Sequence, residues 1–398
     1  MTTTINNEHK KLNVPNLRFP EFQGEWKRTI FKNVITLQRG SSPRPIIEYV
    51  TTSDDGVNWI KIGDMPHFGR IVTSTEEKIT KEGAKKSRQV NKGDLILSNS
   101  MSYGLPYIMG IDGYIHDGWF VLKNFENTFD KDYLCNLLIS RAIQNQYKRL
   151  AAGGVVQNIS SDLVNSVSVS IPTMMEQKKI SSLLNLIDER IATQNKIIED
   201  LKKLKCAIIE KLYTKIQGKE YSYGQLFDVV NERNKQMEYS NILSASQEKG
   251  MVNRDDLNLD IQFERSNINT YKIVRAGDYV IHLRSFQGGF AFSDKLGVCS
   301  PAYTILRPNS LLEYGYLSYY FTSQRFIKSL IIVTYGIRDG RSINVEEWLN
   351  MKVVIPSKEH QLHTMNILKS IDGKIVNEET YATCLSNQKQ YLLSQMFI

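Results

Sequence analysis

The chain has 398 residues, 41% hydrophobic and 23% charged, with a formal charge of +8 and a sequence pI near 9.0. That length admits two or three domains with cores of their own, in an ordinary soluble globular composition. No apolar run approaches the roughly eighteen residues a membrane span needs, and the opening MTTTINNEHKKLN lacks a signal-peptide core, so a cytoplasmic location without a membrane partner is expected.

Positive charge permits nucleic-acid binding without establishing it. Cys135, Cys206, Cys299 and Cys384 lie far apart with no C-x-x-C pair. Two fall on long helices, which predicts buried or partly buried free thiols rather than disulfides or a zinc site.

Taken in order, residues 1–13 form a flexible leader and 14–172 a first globular domain. Its VPNLRFPEFQGEW arm leads into short β-like runs (WIKIGDM, VNKGDLILSN, LPYIMGIDGYIHDGWFVLKN), a helix over about 130–150, a Gly153-Gly154 loop and the strand VNSVSVSIP. Thr173 with Glu176 three residues on is a capping box that starts a long helix over 173–217. A second globular domain follows over 218–356 and a second long helix over 357–398.

Alternating steps of four and three along the first long helix meet Ile180, Leu184, Ile187, Ile191, Gln194, Ile198, Leu201, Lys205, Ile208 and Leu212. Eight of these ten are apolar, a heptad seam rather than a globular stripe.

The second half repeats the first, 184 residues later: Gly93-Asp94 matches Gly277-Asp278, Ile171-Pro172 matches Ile355-Pro356, Gln177 matches Gln361 and Ile187-Asp188 matches Ile371-Asp372. One constant offset through so many matches is a tandem duplication. It places the second seam at Thr364, Leu368, Ile371, Ile375, Glu378, Ala382, Leu385, Lys389, Leu392 and Met396, with polar breaks at Glu378 and Lys389 equivalent to Gln194 and Lys205. Matched seams predict that the helices pack together, parallel or antiparallel. Antiparallel pairing would leave one domain at each end of the rod. The fold expected is α+β: two tandem globular domains, separated and followed by long helices that pair as a coiled coil, the antiparallel arrangement giving pseudo two-fold symmetry.

Catalytic signatures are missing. The chain has no phosphate-binding G-x-x-x-x-G-K-[ST] loop and no Gly-x-Ser-x-Gly, and no Asn-Pro-Pro-aromatic or Asp-Pro-Pro-aromatic motif to hold a flipped base. Phe286-Gln287-Gly288-Gly289 is a turn rather than a cofactor loop. Glu176 and Lys178 are expected to be solvated on a first helical turn, as are Lys202, Lys203 and Lys205 further along. His360 and His363 share a helix face at i, i+3, but no further ligand completes a metal site. Trp59, Trp119 and Trp348 are expected in the core, and Trp26 against the end of the C-terminal helix.

Two similar domains without active sites, on a rigid helical pair with net positive charge, suit bipartite recognition of duplex DNA, whose phosphates attract and whose base edges specify. A forty-residue helix is about 60 Å long, enough to separate two readers by a turn of DNA or more, at about 34 Å per turn. The candidate readers interleave polar or basic residues with glycine. In the first domain they are Ser98, Asn99, Ser102, Tyr103 and Gly104, then Gly153, Gly154, Gln157 and Asn158; in the second, Arg284, Ser285, Gln287 and Gly288, then Arg338, Arg341, Ser342 and Asn344. Arginine can bond guanine bidentately, and Asn or Gln adenine. The alternative assignment is a coiled-coil adaptor that binds protein partners without DNA specificity; a self-contained nuclease or methyltransferase would need an active site of another kind.

The layout resembles the specificity subunit of Type I restriction-modification systems. The resemblance rests on LRFPEFQGEW, on GDLILS and AGDYVI, and on IPTMMEQKKISSLLNLIDERI with its second copy starting near His360-Gln361, and it covers the chain from about Val14. It implies a non-catalytic subunit that docks two methyltransferase subunits and, in the restricting complex, two restriction subunits. Together these methylate adenine in an asymmetric bipartite sequence or cut unmodified DNA. It also implies that S-adenosyl-methionine, ATP and magnesium belong to those partners, with no cofactor in this chain. The second helix departs in its start at Ser357 to His360 and in its more polar seam.

Overall fold

The computed structural model describes residues 12–66, 69–99, 104–151, 159–214, 216–246, 249–257, 265–282, 289–335 and 342–398. It divides into two compact units: Met1–Lys196 with Glu379–Ile398, and Ile197–Glu378. The division falls within both long helices, Met174–Thr214 and Lys358–Gln395, so each unit owns a stretch of both. Among the described residues no helix is long and apolar enough to cross a membrane.

In the first unit the entry strand Lys27–Ile30 pairs antiparallel with the exit strand Ser168–Ile171, Lys27 opposite Ile171. Between them lie two five-stranded sheets. One runs Thr36–Arg39, Trp119–Lys123, Leu95–Ser98, Pro106–Met109, Ile71–Val72, and the other Val50–Thr51, Glu77–Ile79, Val57–Ile60, Gly113–Ile115, Arg88–Val90.

Leu95–Ser98 is buried along its whole length, which is why it opens Leu-Ile-Leu rather than alternating apolar with polar. Strand periodicity sends Leu95 and Leu97 to a core with Phe31, Phe120 and Tyr133, and Ile96 to a second core with Ile60, Trp119 and Val121. Trp59, Trp119 and Trp348 are all buried, as their composition predicted.

The second unit is built the same way. Lys219–Ser222 pairs with Lys352–Ile355, closing the domain, and a four-stranded sheet runs Phe227–Val230, Thr304–Pro308, Tyr279–Ile281, Phe290–Phe292. Tyr279 and Ile281 face an aromatic core with Phe290, Phe321, Phe326 and Trp348, while Val280 faces a smaller core with Leu243 and Val274. The 184-residue offset carries Arg88–Val90 onto Lys272–Val274, Gly113–Ile115 onto Gly297–Cys299 and Ser168–Ile171 onto Lys352–Ile355. Upstream the spacing widens: Lys27–Ile30 corresponds to Lys219–Ser222 and Thr36–Arg39 to Phe227–Val230, displaced by 192 and 191 residues.

The repeated Gly-Asp pair has a structural explanation. Gly93 and Gly277 adopt φ of +92° and +99°, the left-handed region a side chain resists. The following carboxylates close the turn. Asp94 accepts from the Asn91 backbone N–H (2.9 Å) and pairs with Lys123 (2.6 Å); Asp278 accepts from the Arg275 N–H (2.9 Å) and takes a two-pronged bond from Arg307 (2.9 Å each). The basic partner, too, is duplicated.

Candidate nucleic-acid interface and the helices that carry it

Each long helix is seated on its domain by one buried glutamine. Gln177 Nε2 donates to the Thr128 and Pro172 carbonyls (2.9 and 3.1 Å), and its Oε1 accepts from the Asp130 N–H (2.9 Å). Gln361 does the same in the second unit, donating to the Leu311 and Pro356 carbonyls (3.1 Å each) and accepting from the Glu313 N–H (2.8 Å). Both are 1% exposed, so a full set of partners is what makes their burial tolerable.

The residue before Gln177 departs from the sequence expectation. Glu176 is not solvated but fully buried: Arg18 grips it bidentately (2.7 and 2.9 Å) and Trp26 Nε1 donates to it (3.3 Å). The capping box is therefore half formed. Thr173 Oγ1 accepts from the Glu176 N–H (3.3 Å), but the Glu176 carboxylate serves the N-terminal arm. Lys178, by contrast, is exposed. The arm also reaches the C-terminal helix, where the Leu17 N–H donates to the Gln395 carbonyl (3.0 Å), and Trp26 shares a core with Leu393, Met396 and Phe397.

The helices run antiparallel in each unit. In the first, Ile180 and Leu184 share a core with Leu393 and Met396, and Asp188 lies opposite Lys389. In the second, Leu368 shares a core with Ile209 and Tyr213, and Lys205 lies opposite Asp372 at 2.5 Å. Of the seam positions, Ile180, Leu184, Ile187, Ile198, Leu368, Ile375, Leu385 and Met396 are buried, and Ile191, Leu201, Ile208, Leu212, Ile371 and Leu392 half-buried. The heptad template missed Ile209, Tyr213 and Leu393, which are also buried because each helix end packs on its own domain and so buries more than a narrow seam.

The lysine at the seam's polar break is not a solvated residue. Lys205 pairs with Asp372, whose other oxygen accepts from Tyr319 (2.6 Å); Lys389 pairs with Asp188, whose other oxygen takes Arg70 (3.0 Å). Burial pushes the Lys389 ammonium down from its ordinary value, opposed by Asp188. Lys202 and Lys203 are exposed as expected. The cysteines are free, but those on the long helices, Cys206 and Cys384, are exposed rather than buried; Cys135 and Cys299 are buried, their thiols pushed up by burial to about 11 and about 12.

Of the candidate reading residues, Ser102, Tyr103, Gly153, Gly154, Gln157, Asn158, Arg284, Ser285, Gln287, Gly288, Arg338 and Arg341 lie outside the described residues. What is described is where their segments are rooted. Ser98 and Asn99 are buried, and their polar atoms serve the root. Ser98 Oγ accepts from the Leu105 N–H (3.0 Å), and Asn99 Nδ2 donates to the Asp117 carbonyl (2.8 Å).

Gly104 has φ +60°, and a Cβ there would meet the Tyr147 ring at 2.5 Å. The Asn99 carbonyl accepts from the Ile159 N–H (2.8 Å), so the segments 100–103 and 152–158 start from one point. In the second unit, the His282 N–H donates to Gly289 (2.8 Å) at the foot of 283–288, and the pair Tyr335 and Ser342 closes the foot of 336–341. Asn344 caps the helix Val345–Asn350, accepting from the Glu346 and Glu347 N–H groups.

The root of the first unit's candidate segments also carries a basic group that lies outside the glycine-rich stretches. Arg39 Nε donates to the same Asp117 carbonyl (3.2 Å), Arg44 pairs with the Asp117 carboxylate (3.3 Å), Arg88 Nε donates to the Arg39 carbonyl (3.2 Å), and Ser41 bonds the Lys86 carbonyl (3.1 Å). Arg39, Arg44, Lys86 and Arg88 are exposed. Beside them, burial holds His116 below its ordinary value, opposed by Asp117. Its Nδ1 accepts from the Gly118 N–H (2.8 Å), the arrangement of a neutral ring.

This architecture has known counterparts. The model of the Type I restriction modification DNA specificity domain matches residues 24–203. A putative Type I restriction enzyme MjaX specificity subunit of Methanocaldococcus jannaschii is 22% identical over 402 residues, covering 92% of this chain and 91% of that protein. Over nearly its whole length the chain is similar to Type I restriction enzyme specificity subunits. A second relative from the same organism, the MjaVIII specificity subunit, is 26% identical over 228 residues; there the match spans 54% of this chain and about half, 52%, of the relative.

Two solved structures share the fold at 14% identity. One, described as the structural basis underlying complex assembly and conformational transition of the type I R-M system, covers 92% of this chain and 96% of its own at a TM-score of 0.62. The other, the Type-I restriction-modification system S subunit from M. genitalium, covers 97% and 99% at 0.52. Specificity subunits are in general non-catalytic.

Proposed function

We propose that this chain is the DNA-reading subunit of a Type I restriction-modification complex. Each globular unit reads one half of an asymmetric bipartite site in double-stranded DNA. The paired helices set the spacer between the halves and dock two methyltransferase subunits, and two restriction subunits join the full complex. In this reading S-adenosyl-methionine, ATP and magnesium act in those partners, and the assembly methylates adenine or cuts unmodified DNA.

The observation that supports it best is a duplicated scaffold with unlike segments at the reader positions. The split-core strand, the Gly-Asp turn, the glutamine seat and the cross-helix ion pair occur in both units. The equivalent segments 100–103 and 284–287 read Ser-Met-Ser-Tyr and Arg-Ser-Phe-Gln. Partner docking is best supported on the outer helix faces, where exposed Leu186 and Tyr381 line a groove of about 670 Å³ in the first unit. Exchanging residues 14–171 for the matching segment of another specificity subunit should change one half of the methylated site only. A change in both halves, or in neither, would contradict the reading.

A further inference from the structure

The two units place their positive charge differently. In the first, the segments 100–103 (SMSY) and 152–158 (AGGVVQN) contain no lysine or arginine. In the second, 283–288 (LRSFQG) and 336–341 (GIRDGR) contain Arg284, Arg338 and Arg341. Phosphate attraction supplies most sequence-independent affinity for DNA, so a reader whose loops are neutral must draw it from elsewhere.

The scaffold of the first unit supplies such a source at the loop root. Arg39, Arg44, Lys86 and Arg88 are exposed around the Asp117 turn, whose carbonyl also accepts from Asn99 at the foot of the first loop. Within the group the one paired acid is Asp117, bonded to Arg44 at 3.3 Å, against four basic side chains. The residue equivalent to Arg88 in the second unit, Lys272, instead turns inward and donates to the Tyr303 carbonyl (2.7 Å).

We infer that the first unit grips the DNA backbone with Arg44, Arg88 and their basic neighbours on the scaffold, so that its phosphate contacts lie beside the candidate reading segments rather than in them. This rests on the DNA-reading function proposed above.

The test measures binding of the full chain, assembled with its methyltransferase partners, to a duplex bearing its methylated site and to a scrambled duplex, from 50 to 200 mM KCl. The double variant Arg44→Gln with Arg88→Gln should lower the salt slope by about 1.8, making the loss of affinity over that range about tenfold smaller. The effect should be equal on both duplexes, with the preference for the site unchanged, and Arg44→Lys with Arg88→Lys should restore the wild-type slope. An unchanged slope in the glutamine variant overturns the inference. So does a lost preference at constant slope, which would make these arginines base readers. A wild-type complex that fails to prefer its site would instead count against the DNA-reading function, while the slope on the scrambled duplex still decides this inference.

Discussion

Lys205 and Asp372 form an ion pair between the central and C-terminal helices of the second unit, and their equivalents Lys389 and Asp188 form the same pair in the first. In each case a lysine that interrupts an apolar seam reaches an aspartate supplied by the other copy of the repeat. A buried or half-buried charge at a seam position costs stability relative to an apolar residue but penalises misaligned pairings, because slipping the register strands the charge.

Removing the aspartate should therefore cost more than removing the lysine. Asp188→Asn leaves Lys389 and Arg70 facing each other without a carboxylate, and should destabilise the first unit by about 2 kcal/mol; Lys389→Met leaves Asp188 still paired with Arg70 and should cost about 1 kcal/mol or less. Urea titration of the two variants checks the order, and equal or reversed losses would contradict it.

The glutamine seats make a local prediction. Gln177→Ala strands two carbonyls and one N–H in the first unit, and Gln361→Ala strands the equivalent groups in the second, so each should cost about 2–4 kcal/mol. Hydrogen exchange should accelerate around Thr128 to Asp130 in one variant and Leu311 to Glu313 in the other.

Gly104→Ala should destabilise the root of the first reading segment by about 1–3 kcal/mol, since it combines a positive φ with a 2.5 Å contact to Tyr147. Gly63→Ala, whose Cβ would meet nothing within 4 Å, is the control expected to be close to neutral in a thermal melt. A Gly104→Ala variant as stable as the control would contradict this account of the turn.

His116 should titrate below its ordinary value of 6.5, because burial disfavours the charged ring. A folded-state value below the unfolded one means that the unfolded chain takes up the proton first. The contribution to stability is thus complete above 6.5 and is lost as pH falls through the window down to the folded value. Following the ring proton by NMR checks this directly; a midpoint above 6.5 would show that Asp117 outweighs burial.

Much of this architecture was legible in the sequence. The 184-residue offset located the equivalent strands, the glutamines and the seams, because duplicated packing constrains the same positions twice. What pattern reading missed were partners far away in sequence. Glu176 looks like a solvated first-turn acid until Arg18 and Trp26, about 150 residues earlier, close over it. Lys205 and Lys389 look like flaws in a seam until each meets an aspartate of the other helix. Ser98 and Asn99 carry the side chains of readers, yet a buried strand end and the Asp117 turn claim them for the loop root. The basic cluster at Arg39, Arg44 and Arg88 escaped notice because its members are dispersed over some fifty residues and converge only through the fold.

The most direct measurement is a genome-wide map of methylated bases in cells with and without this gene, its partner subunits present in both. A bipartite adenine mark should vanish on deletion and return on complementation. If deletion removes no such mark and restoring the gene creates none, the chain does not direct DNA recognition and the account fails.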